Sequence, residues 1–594
     1  MEKITKISVI ALITLIICLD PAMAAGKNGE KIIRTAFRGN KKFSDSSISR
    51  LVITRKSGLI KKRFFYENNT EEDLKRIRSF YLKNGYLDIK ASYDLDISKR
   101  KGKELASITF LINEGEIYNT GDLKVTGNEY YTEQELKDNY RIEKGKPFSK
   151  QKLDNSVASL LAFYANNGFI DTDIQTDLKV DSEARKVDIS VMITENARYR
   201  IGATVISGIS KTRPYIVERE LLYSKGDIIN ASKLLDTRKN LFLTGLFNNI
   251  QVRPVTPSTG HDDTKDIQVD LNENMSVEFG LSVGYDTIEK FWQQAELYNY
   301  NFRGKAQKYG IMVRRSELRD HAELSFSEPR MWGSMWRGDL NLFTRAGYEP
   351  GYTLYNNGGK LSAGRDFRKM LKLVLSYKIE SSRYTDLKIY YEPSQQIQWR
   401  HEFAVTTTYD TRDDIFNTSD GILLEQSNEY SITDKDLLRM IFRGRRFIHL
   451  SEKLIFATAA EFSIIISKAD IDAINPAQRF YTGGPNSIRG FGYNKVGPLN
   501  ESGAPLGGKV KFVWNIAELR MRLTKIAAVN FFADAGNIWR SIDRTDLSAL
   551  RFSPGLGTMA VTPIGVLRIE YAFNVAPEPG EDKGLLFFGA GLAF

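Results

Sequence analysis

The chain has 594 residues, carries a net charge of +11, and is 42% hydrophobic and 26% charged. This length predicts several domains, and this composition excludes both wholesale disorder and a protein built from membrane helices. The basic residues are spread along the chain among acidic ones, so we interpret the charge as a bias towards solubility and lipid surfaces rather than as a nucleic-acid site.

The N-terminus has the pattern of a secretory signal peptide. Two lysines precede an apolar run over 7–19, and a small-x-small cleavage pattern follows at 22–24, which predicts a signal peptide over 1–24. The single cysteine, Cys18, lies inside it, which excludes disulfides, zinc-thiolate sites and cysteine nucleophiles from the mature chain. Because no later apolar run is long enough for a membrane helix, we expect any membrane-spanning part to consist of strands.

Residues 31–274 contain three similar segments, roughly 80–90 residues apart, a period that indicates tandem small domains rather than a solenoid. Each segment begins with a strand-like run that ends at Gly39-Asn40, Gly127-Asn128 or Gly208-Ile209. A short helix follows, and then a second helix with aromatic residues in its last turn and a glycine just beyond it. Two alternating strands complete each segment, so the predicted order is β-α-α-β-β, three times.

The sequence changes character after Asn274. Apolar and polar residues alternate over 277–285, 371–380 and 567–573, as in strands with one apolar and one polar face. Such strands suit a soluble sandwich or a membrane barrel with a polar lumen, and the signal peptide favours the barrel. Residues 275–594 have room for roughly 16 tilted antiparallel strands, and we expect Asn356-Asn357-Gly358-Gly359 to form one of the turns between them.

A glycine-rich stretch, Gly483–Tyr493, predicts a shaped loop, because its glycines allow positive φ angles and close approach to other groups. Arg489 lies in its middle. A guanidinium is always charged, so an arginine confined in such a loop requires carboxylate partners.

Together these features resemble one known family. The three segments resemble POTRA domains, and the C-terminal run 587–594 resembles the C-terminal signal of bacterial outer-membrane barrels. POTRA repeats followed by a barrel that contains the motif Ile488-Arg489-Gly490-Phe491 resemble the outer-membrane assembly and translocation superfamily, of the BamA and TamA type. The resemblance covers the whole mature chain. It implies POTRA repeats over 25–116, 117–196 and 197–275 and a transmembrane β-barrel of the bacterial surface antigen type over 276–594.

The resemblance also implies where the loop arginine binds. In the family this loop folds back into the lumen and its arginine meets acids on the inner wall. The segments 515–520 and 531–537 match the family's acidic strands, which makes Glu518 and Asp534 the candidate partners of Arg489. In a wet lumen we expect such pairs to be worth about 0–1 kcal/mol and to position the loop more than they stabilise it. Bracing and gating both remain open as roles for the arginine.

The implied function is protein assembly in the outer membrane of a Gram-negative bacterium, with the repeats in the periplasm. Unfolded barrel or autotransporter-like clients would bind the repeats and insert through a seam between the first and last strands, beside outer-membrane lipid. The resemblance leaves room for an accessory periplasmic or inner-membrane partner, and it implies no nucleic acid, cofactor, metal or enzymatic activity. The predicted seam residues are Val277, Phe279, Leu281, Val283, Tyr285, Phe588, Gly589, Gly591, Leu592 and Phe594.

Two other functions remain as alternatives. A two-partner secretion transporter would export one dedicated partner, but that family usually has two POTRA domains and an N-terminal plug helix, and neither is evident in the sequence. A passive pore or surface antigen ranks third, because porins lack periplasmic repeats. Within the favoured family, three repeats suit a TamA-like factor better than a general BamA, which usually carries more.

Overall fold

The computed structural model describes residues 31–590 except 57–63, 101–102, 141, 258–262, 368–369, 392–396, 416, 525 and 563–564. The predicted signal peptide and the last four residues of the predicted closing strand lie outside this part of the chain. No helix within the described residues is long and apolar enough to cross a membrane. The chain divides into two compact units, one built from the repeats and one that contains the barrel together with 209–216 and 244–248.

Each repeat is a three-stranded sheet packed against helices, and the predicted β-α-α-β-β order is confirmed. The third strand lies in the middle, parallel to the first strand, and the second strand occupies the other edge. The first repeat comprises β1 (Lys31–Arg38), α1 (Asp45–Ser49), α2 (Glu67–Lys83), β2 (Lys90–Arg100) and β3 (Lys103–Asn113). The second comprises β4 (Asn119–Thr126), α3 (Glu133–Leu136), α4 (Lys150–Asn166), β5 (Asp173–Asp181) and β6 (Lys186–Thr194). The third comprises β7 (Arg200–Ser207), α5 (Pro214–Glu218), α6 (Ala231–Leu243), β8 (Phe247–Val255) and β9 (Thr264–Glu273).

The glycine that ends the first strand of each repeat is required by a close backbone approach. Gly39, Gly127 and Gly208 have φ angles of 91°, 80° and 80°. A Cβ atom at any of them would overlap a carbonyl oxygen of the repeat's central strand. The three glycines that define the repeat in the sequence are therefore explained by the same close backbone contact, which occurs once in each repeat.

In each repeat, a glutamate at the end of the central strand accepts hydrogen bonds that hold another part of the repeat against that strand. Glu114 and Glu195 accept hydrogen bonds from the hydroxyls of Tyr81 and Tyr164, both at 2.8 Å. Burial, together with these hydrogen bonds, raises the pKa of both tyrosines. In the third repeat Glu273 instead accepts from the turn after the first strand, including the backbone N–H groups of 211 and 212.

The joints within the first unit use the glycine that follows the second helix. The backbone N–H of Tyr118 donates to the carbonyl of Gly85 at 2.8 Å, and that of Tyr199 donates to Gly168 at 2.9 Å. Gly85 and Gly168 have φ angles of 93° and 99°. Each joint thus fixes the start of one repeat to the helix end of the preceding one.

The rest of the chain forms a sixteen-stranded antiparallel sheet in which sequential strands are neighbours, as predicted. The strands are β10 (Val277–Asp286), β11 (Lys290–Phe302), β12 (Gln307–Ser316), β13 (Arg319–Glu328), β14 (Arg337–Glu349), β15 (Tyr352–Phe367), β16 (Leu371–Thr385), β17 (Gln398–Asp410), β18 (Gly421–Ile432), β19 (Leu437–Ser451), β20 (Leu454–Ile466), β21 (Val510–Arg522), β22 (Ala527–Trp539), β23 (Arg551–Thr562), β24 (Gly565–Phe573) and β25 (Gly584–Ala590).

The two faces of this sheet differ as expected for a barrel in lipid. Large apolar side chains such as Leu361 and Phe403 are about half exposed on the outer face, whereas the inner face carries ion pairs such as Lys378–Glu402 at 3.0 Å. A polar interior with an apolar exterior is typical of outer-membrane barrels.

The predicted turn at Asn356-Asn357-Gly358-Gly359 is wrong. These residues lie in the middle of β15, paired on both sides with β14 and β16. Gly358 is opposite Phe343 and Glu380, and a Cβ at Gly358 would lie 2.9 Å from the Phe343 ring and 2.8 Å from the Glu380 Cβ. The glycine therefore makes room for large neighbours within a strand.

Candidate functional site: the lumen loop and the barrel seam

The connection between β20 and β21, residues 467–509, carries the glycine-rich stretch into the barrel interior. Gly483, Gly484 and Gly490 all have positive φ angles, between 95° and 109°. Such a backbone conformation favours glycine over other residues. The loop therefore has a defined shape, and it places Ile488 and Arg489 where neither side chain reaches solvent.

Arg489 binds carboxylates on three strands of the inner wall. Its Nε and Nη2 atoms donate to Asp534 on β22 at 2.7 and 2.9 Å, and its backbone N–H donates to the same carboxylate at 3.1 Å. Its Nη1 atom donates to Glu518 on β21 at 2.8 Å and to Glu570 on β24 at 2.9 Å. The structure thus brings both sequence-predicted partners to the arginine and adds a third.

Two further arginines belong to this cluster. Arg520 donates to Glu518 at 2.6 Å, and Arg568 donates to Glu570 at 2.7 Å. Arg568 also donates to the carbonyl of Pro485 at 3.1 Å and to the side chain of Asn486. The wall therefore grips the loop backbone before the arginine as well as the arginine itself. The charges of the cluster balance, with three guanidinium groups against three carboxylates: Arg489, Arg520, Arg568, Glu518, Asp534 and Glu570.

The expectation of a wet, weakly interacting trio is wrong. Arg489 and Asp534 are 0% exposed, and Glu518 and Glu570 are 1% exposed. Charges this deeply buried are costly to desolvate, and removing one partner of such a set typically costs about 3–5 kcal/mol because the others stay buried without it. The cluster is therefore a demanding structural anchor rather than a set of solvated contacts.

A β-bulge explains how two wall residues reach the same loop. Asn515 and Glu518 are three residues apart, so a regular strand would point them to opposite faces. The pairing of β21 with both of its neighbours shifts between Asn515 and Glu518. The extra residue returns Glu518 to the interior, where Asn515 donates to Asp534 and to the carbonyl of Ser487.

The loop also packs closely against the wall. The Arg489 guanidinium lies 3.4 Å from the centre of the Phe532 ring, a cation–π contact. A Cβ atom at Gly490 would overlap the Ser553 hydroxyl and lie 3.0 Å from the carbonyl oxygen of Phe573. With these contacts, residues 489 and 490 touch all four strands from β21 to β24.

The residues at the end of the glycine-rich stretch contact the first strands of the barrel. Arg319, at the start of β13, donates to the Tyr493 hydroxyl at 2.7 Å and lies 3.5 Å from both Glu289 and Glu349. Asn494 donates to Glu349 at 3.3 Å. Glu289 belongs to the turn between β10 and β11. The loop thus spans the lumen, from the last strands to the first ones.

The seam between the first and last strands is held at one point in the described residues. The backbone N–H and the hydroxyl of Thr287 donate to the Phe588 carbonyl at 3.2 and 3.1 Å, and the Phe588 N–H donates to the Thr287 hydroxyl at 2.7 Å. Within the part of the chain that the structure describes, no continuous ladder links β10 to β25. All other neighbouring strands of the barrel share one.

The predicted seam residues on β10 form an exposed apolar row, with Leu281 and Val283 at 72% and 70% exposure. On β25, Phe588 makes the hydrogen bonds to Thr287, and Gly589 is opposite Arg568. The remaining members, Gly591, Leu592 and Phe594, lie outside the described residues. Sequence reasoning did not identify Thr287, whose short polar side chain gives no signal of its own.

The family models that match the chain divide it in the same way. An Omp85 superfamily domain matches residues 301–594. The POTRA model, described as a surface antigen variable number repeat, matches residues 31–115, 118–196 and 199–274. The second match reproduces the three repeats seen in both the sequence and the fold.

Similar proteins share this organisation. Outer membrane protein assembly factor BamA of Neorickettsia risticii is 23% identical over 583 residues, covering 93% of this chain and 77% of the relative. Outer membrane protein assembly factor BamA of Neisseria meningitidis is 22% identical, covering 97% of this chain and 80% of the relative. The crystal structure of BamA from Haemophilus ducreyi lacking POTRA domains 1–3 superposes with a TM-score of 0.69 at 17% identity, covering 80% of this chain and 100% of that one.

The family models and the similar proteins both agree with the architecture of this chain, in which three repeats precede a barrel with a polar interior and an apolar exterior. The barrel is an outer-membrane domain, and the repeats lie in the periplasm. The chain therefore belongs to the Omp85 superfamily, as a member with three POTRA repeats ahead of its barrel.

Proposed function

We propose that this protein inserts unfolded outer-membrane proteins into the membrane through its barrel seam. The observation that carries the proposal is the seam itself, where Thr287 and Phe588 make a small set of hydrogen bonds. In the described part of the barrel, every other pair of neighbouring strands shares a continuous ladder. Among the residues that the structure describes, opening the barrel at this point breaks fewer backbone hydrogen bonds than opening it between any other two neighbouring strands.

An open seam solves the physical problem of its clients. A strand edge with unpaired N–H and C=O groups is costly in lipid, and a client barrel has such an edge until it closes. The edge of β10 offers those groups a partner, and the client adds strands one hairpin at a time. No covalent chemistry is needed, because each step exchanges one set of backbone hydrogen bonds for another.

The lumen loop supplies the rigid side of the seam. Glu570 and Arg568 hold the loop to β24, which pairs directly with the closing strand β25. A few residues further along the loop, Tyr493 and Asn494 contact Arg319 and Glu349 on the first strands. We infer that the loop braces the two walls while the seam opens, with the Arg489 cluster as its fixed anchor.

The repeats present sheet edges to arriving clients. In each repeat the second strand is an edge strand, and an extended client segment can add to it by backbone hydrogen bonding. The relatives named outer membrane protein assembly factor BamA support this activity for the present chain. Clients of the autotransporter type follow the same route, since their membrane parts are barrels.

The test is assembly by the purified full-length protein in lipid vesicles. A urea-unfolded barrel client should fold faster in vesicles that contain the protein than in empty ones, without nucleotide. In cells, depletion should reduce many folded outer-membrane barrels if the role is general, and a narrow set if it is TamA-like. Loss of a single secreted protein would indicate a two-partner secretion transporter, and altered solute uptake with normal barrels would indicate a passive pore.

A further inference from the structure

The exterior of strands β12 to β16 carries charged residues near the extracellular end of the barrel. This is the end at which β10 finishes, because the periplasmic repeats lead directly into the start of β10. Residues paired across neighbouring strands point to the same side of a sheet. The strand registers place one row side by side across five strands, and its members are Arg315, Asp320, Ala346, Tyr355 and Arg383. This row lies within a few residues of the turns at the extracellular end.

A second row follows one step deeper into the membrane. It lies on the same outer face, since Val313 is half exposed, and most of its side chains are small. Thr344 donates to the Asn357 side chain at 2.7 Å, and Ser381 donates to the Asn357 carbonyl at 3.4 Å. Its members are Val313, Ala322, Thr344, Asn357 and Ser381.

Because the second row is small, the two rows enclose a concave site of about 550 Å³ on the outer wall. Arg315 lies 3.7 Å from Asp320 and is 74% exposed at its side chain. The guanidinium of Arg383 lies 5.1 Å from the centre of the Tyr355 ring. Two guanidinium groups against one carboxylate leave this site with a net positive charge.

An apolar groove of about 930 Å³ lies further down the same outer wall, across β13 to β19. Its lining includes Leu361, Leu375 and Phe403, each exposed by two-fifths or more. Polarity therefore falls with depth, from charged to small polar to apolar, along the same strands. This is the order in which a membrane lipid presents its headgroup, its ester region and its chains.

We propose that this outer wall binds one outer-leaflet lipid through its phosphate group, with Arg315 and Arg383 as the phosphate ligands. An arginine presents a planar fork of donors that matches a phosphate. Charged side chains on the lipid-facing wall are costly at membrane depth and are tolerated near the interface, where a headgroup partners them. The acyl chains lie in the apolar groove below.

The experiment is native mass spectrometry of the purified full-length protein, titrated with dioleoylphosphatidylglycerol. Arg315→Gln with Arg383→Gln should weaken retention of this lipid about 10- to 100-fold, as expected for lost charge-assisted hydrogen bonds. Arg446→Gln is the matched control, because Arg446 is an exposed outward-facing arginine near the other end of the barrel. The Arg446→Gln variant should retain as much of this lipid as the wild type does.

Two further probes separate the lipid from its parts. Dioleoylglycerol, which has the same chains without phosphate, should bind as weakly as phosphatidylglycerol binds the double variant. Inorganic phosphate alone should not displace the lipid at equal concentration. Equal retention by wild type and double variant, equal binding of dioleoylglycerol, or displacement by free phosphate would each overturn the proposal. Arg315→Gln alone, which leaves Arg383 on Tyr355, provides the same comparison if the double variant fails to fold.

Discussion

Arg489 and Asp534 are joined at three points, two from the guanidinium and one from the backbone N–H of the arginine. One carboxylate therefore fixes the side chain and the main chain of the loop together. A lysine has the charge but not the fork, and it can reproduce at most part of this arrangement.

Arg489→Lys should therefore weaken the anchor, and Arg489→Met should weaken it more. The methionine substitution would leave three carboxylates buried with one fewer cation, a change expected to cost about 3–5 kcal/mol of folding free energy. The loss of folding free energy can be measured by urea unfolding of the barrel. The folded fraction at each urea concentration is read from the heat-modifiable mobility of the protein on gels. Arg446→Met on the outer wall is the control and should change the midpoint little, and equal midpoints for Arg489→Met and Arg446→Met would contradict a structural anchor.

Gly490→Ala should displace the loop. The residue has φ near +95°, and its new methyl group would meet the Ser553 hydroxyl and the Phe573 carbonyl oxygen. Gly580→Ala is a matched control, because Gly580 has φ near +89° with nothing within 4 Å of its Cβ position. Both variants carry similar backbone strain. A larger loss of client folding with Gly490→Ala would therefore be due to the close contact of residue 490 with Ser553 and Phe573. Equal losses would show that the close fit at β23 is unimportant.

Glu570→Gln should destabilise the barrel far more than Glu578→Gln. Glu570 accepts hydrogen bonds from Arg489, Arg568 and Asn530 and is buried, so its neutralisation leaves the cluster with excess positive charge. Glu578 pairs with Arg551 but is 69% exposed at its side chain, and such surface pairs are worth about 0–1 kcal/mol. Urea midpoints compare the two. A similar small effect of both would mean that Glu570 adds nothing to the anchor.

The turn held by Glu273 should loosen in acid. Burial opposes ionisation of Glu273, but hydrogen bonds from Thr212, Lys211 and Ser210 outweigh it and lower its pKa to about 2 from 4.5. A lowered pKa in the folded state stabilises the turn above pH 4.5, and this contribution is lost as the pH falls through about 2. Hydrogen exchange of the amides of 211 and 212, corrected for intrinsic rates, should show protection falling across this interval. In Glu273→Gln the protection should start low and change little, and an equal pH response in both proteins would contradict the assignment.

Periodicity was enough to predict much of the fold. The repeat order, the change to alternating strands after Asn274 and a barrel of about sixteen strands all follow from local patterns, because each strand has one lipid-facing side. The same reasoning failed at 356–359, where four turn-forming residues lie within β15. There, the missing side chain of Gly358 leaves room for the ring of Phe343 on the neighbouring strand β14. No local sequence pattern can reveal such a contact between distant residues.

The candidate site divides in a similar way. The glycine-rich loop predicts a confined arginine, and resemblance to the family points to Glu518 and Asp534. The sequence identified Glu570 only as a polar residue on a strand. Alternation predicts which face of the sheet its side chain is on, but not which residues it contacts. The bulge in β21 is also invisible to a two-residue period, although without it Glu518 would face lipid. Long-range contacts and strand irregularities were therefore the unpredictable part.

The most direct test of the seam is a reversible lock across it. Thr287→Cys with Phe588→Cys replaces the observed contact by a disulfide, and no other thiol interferes because Cys18 belongs to the predicted signal peptide. The control pair is Ala295→Cys with Val313→Cys, which lie opposite each other in the ladder of β11 and β12. Client folding in vesicles should stop when the seam pair is oxidised and recover on reduction, while the control pair stays active in both states. Normal client folding by the oxidised seam pair would contradict insertion through the seam.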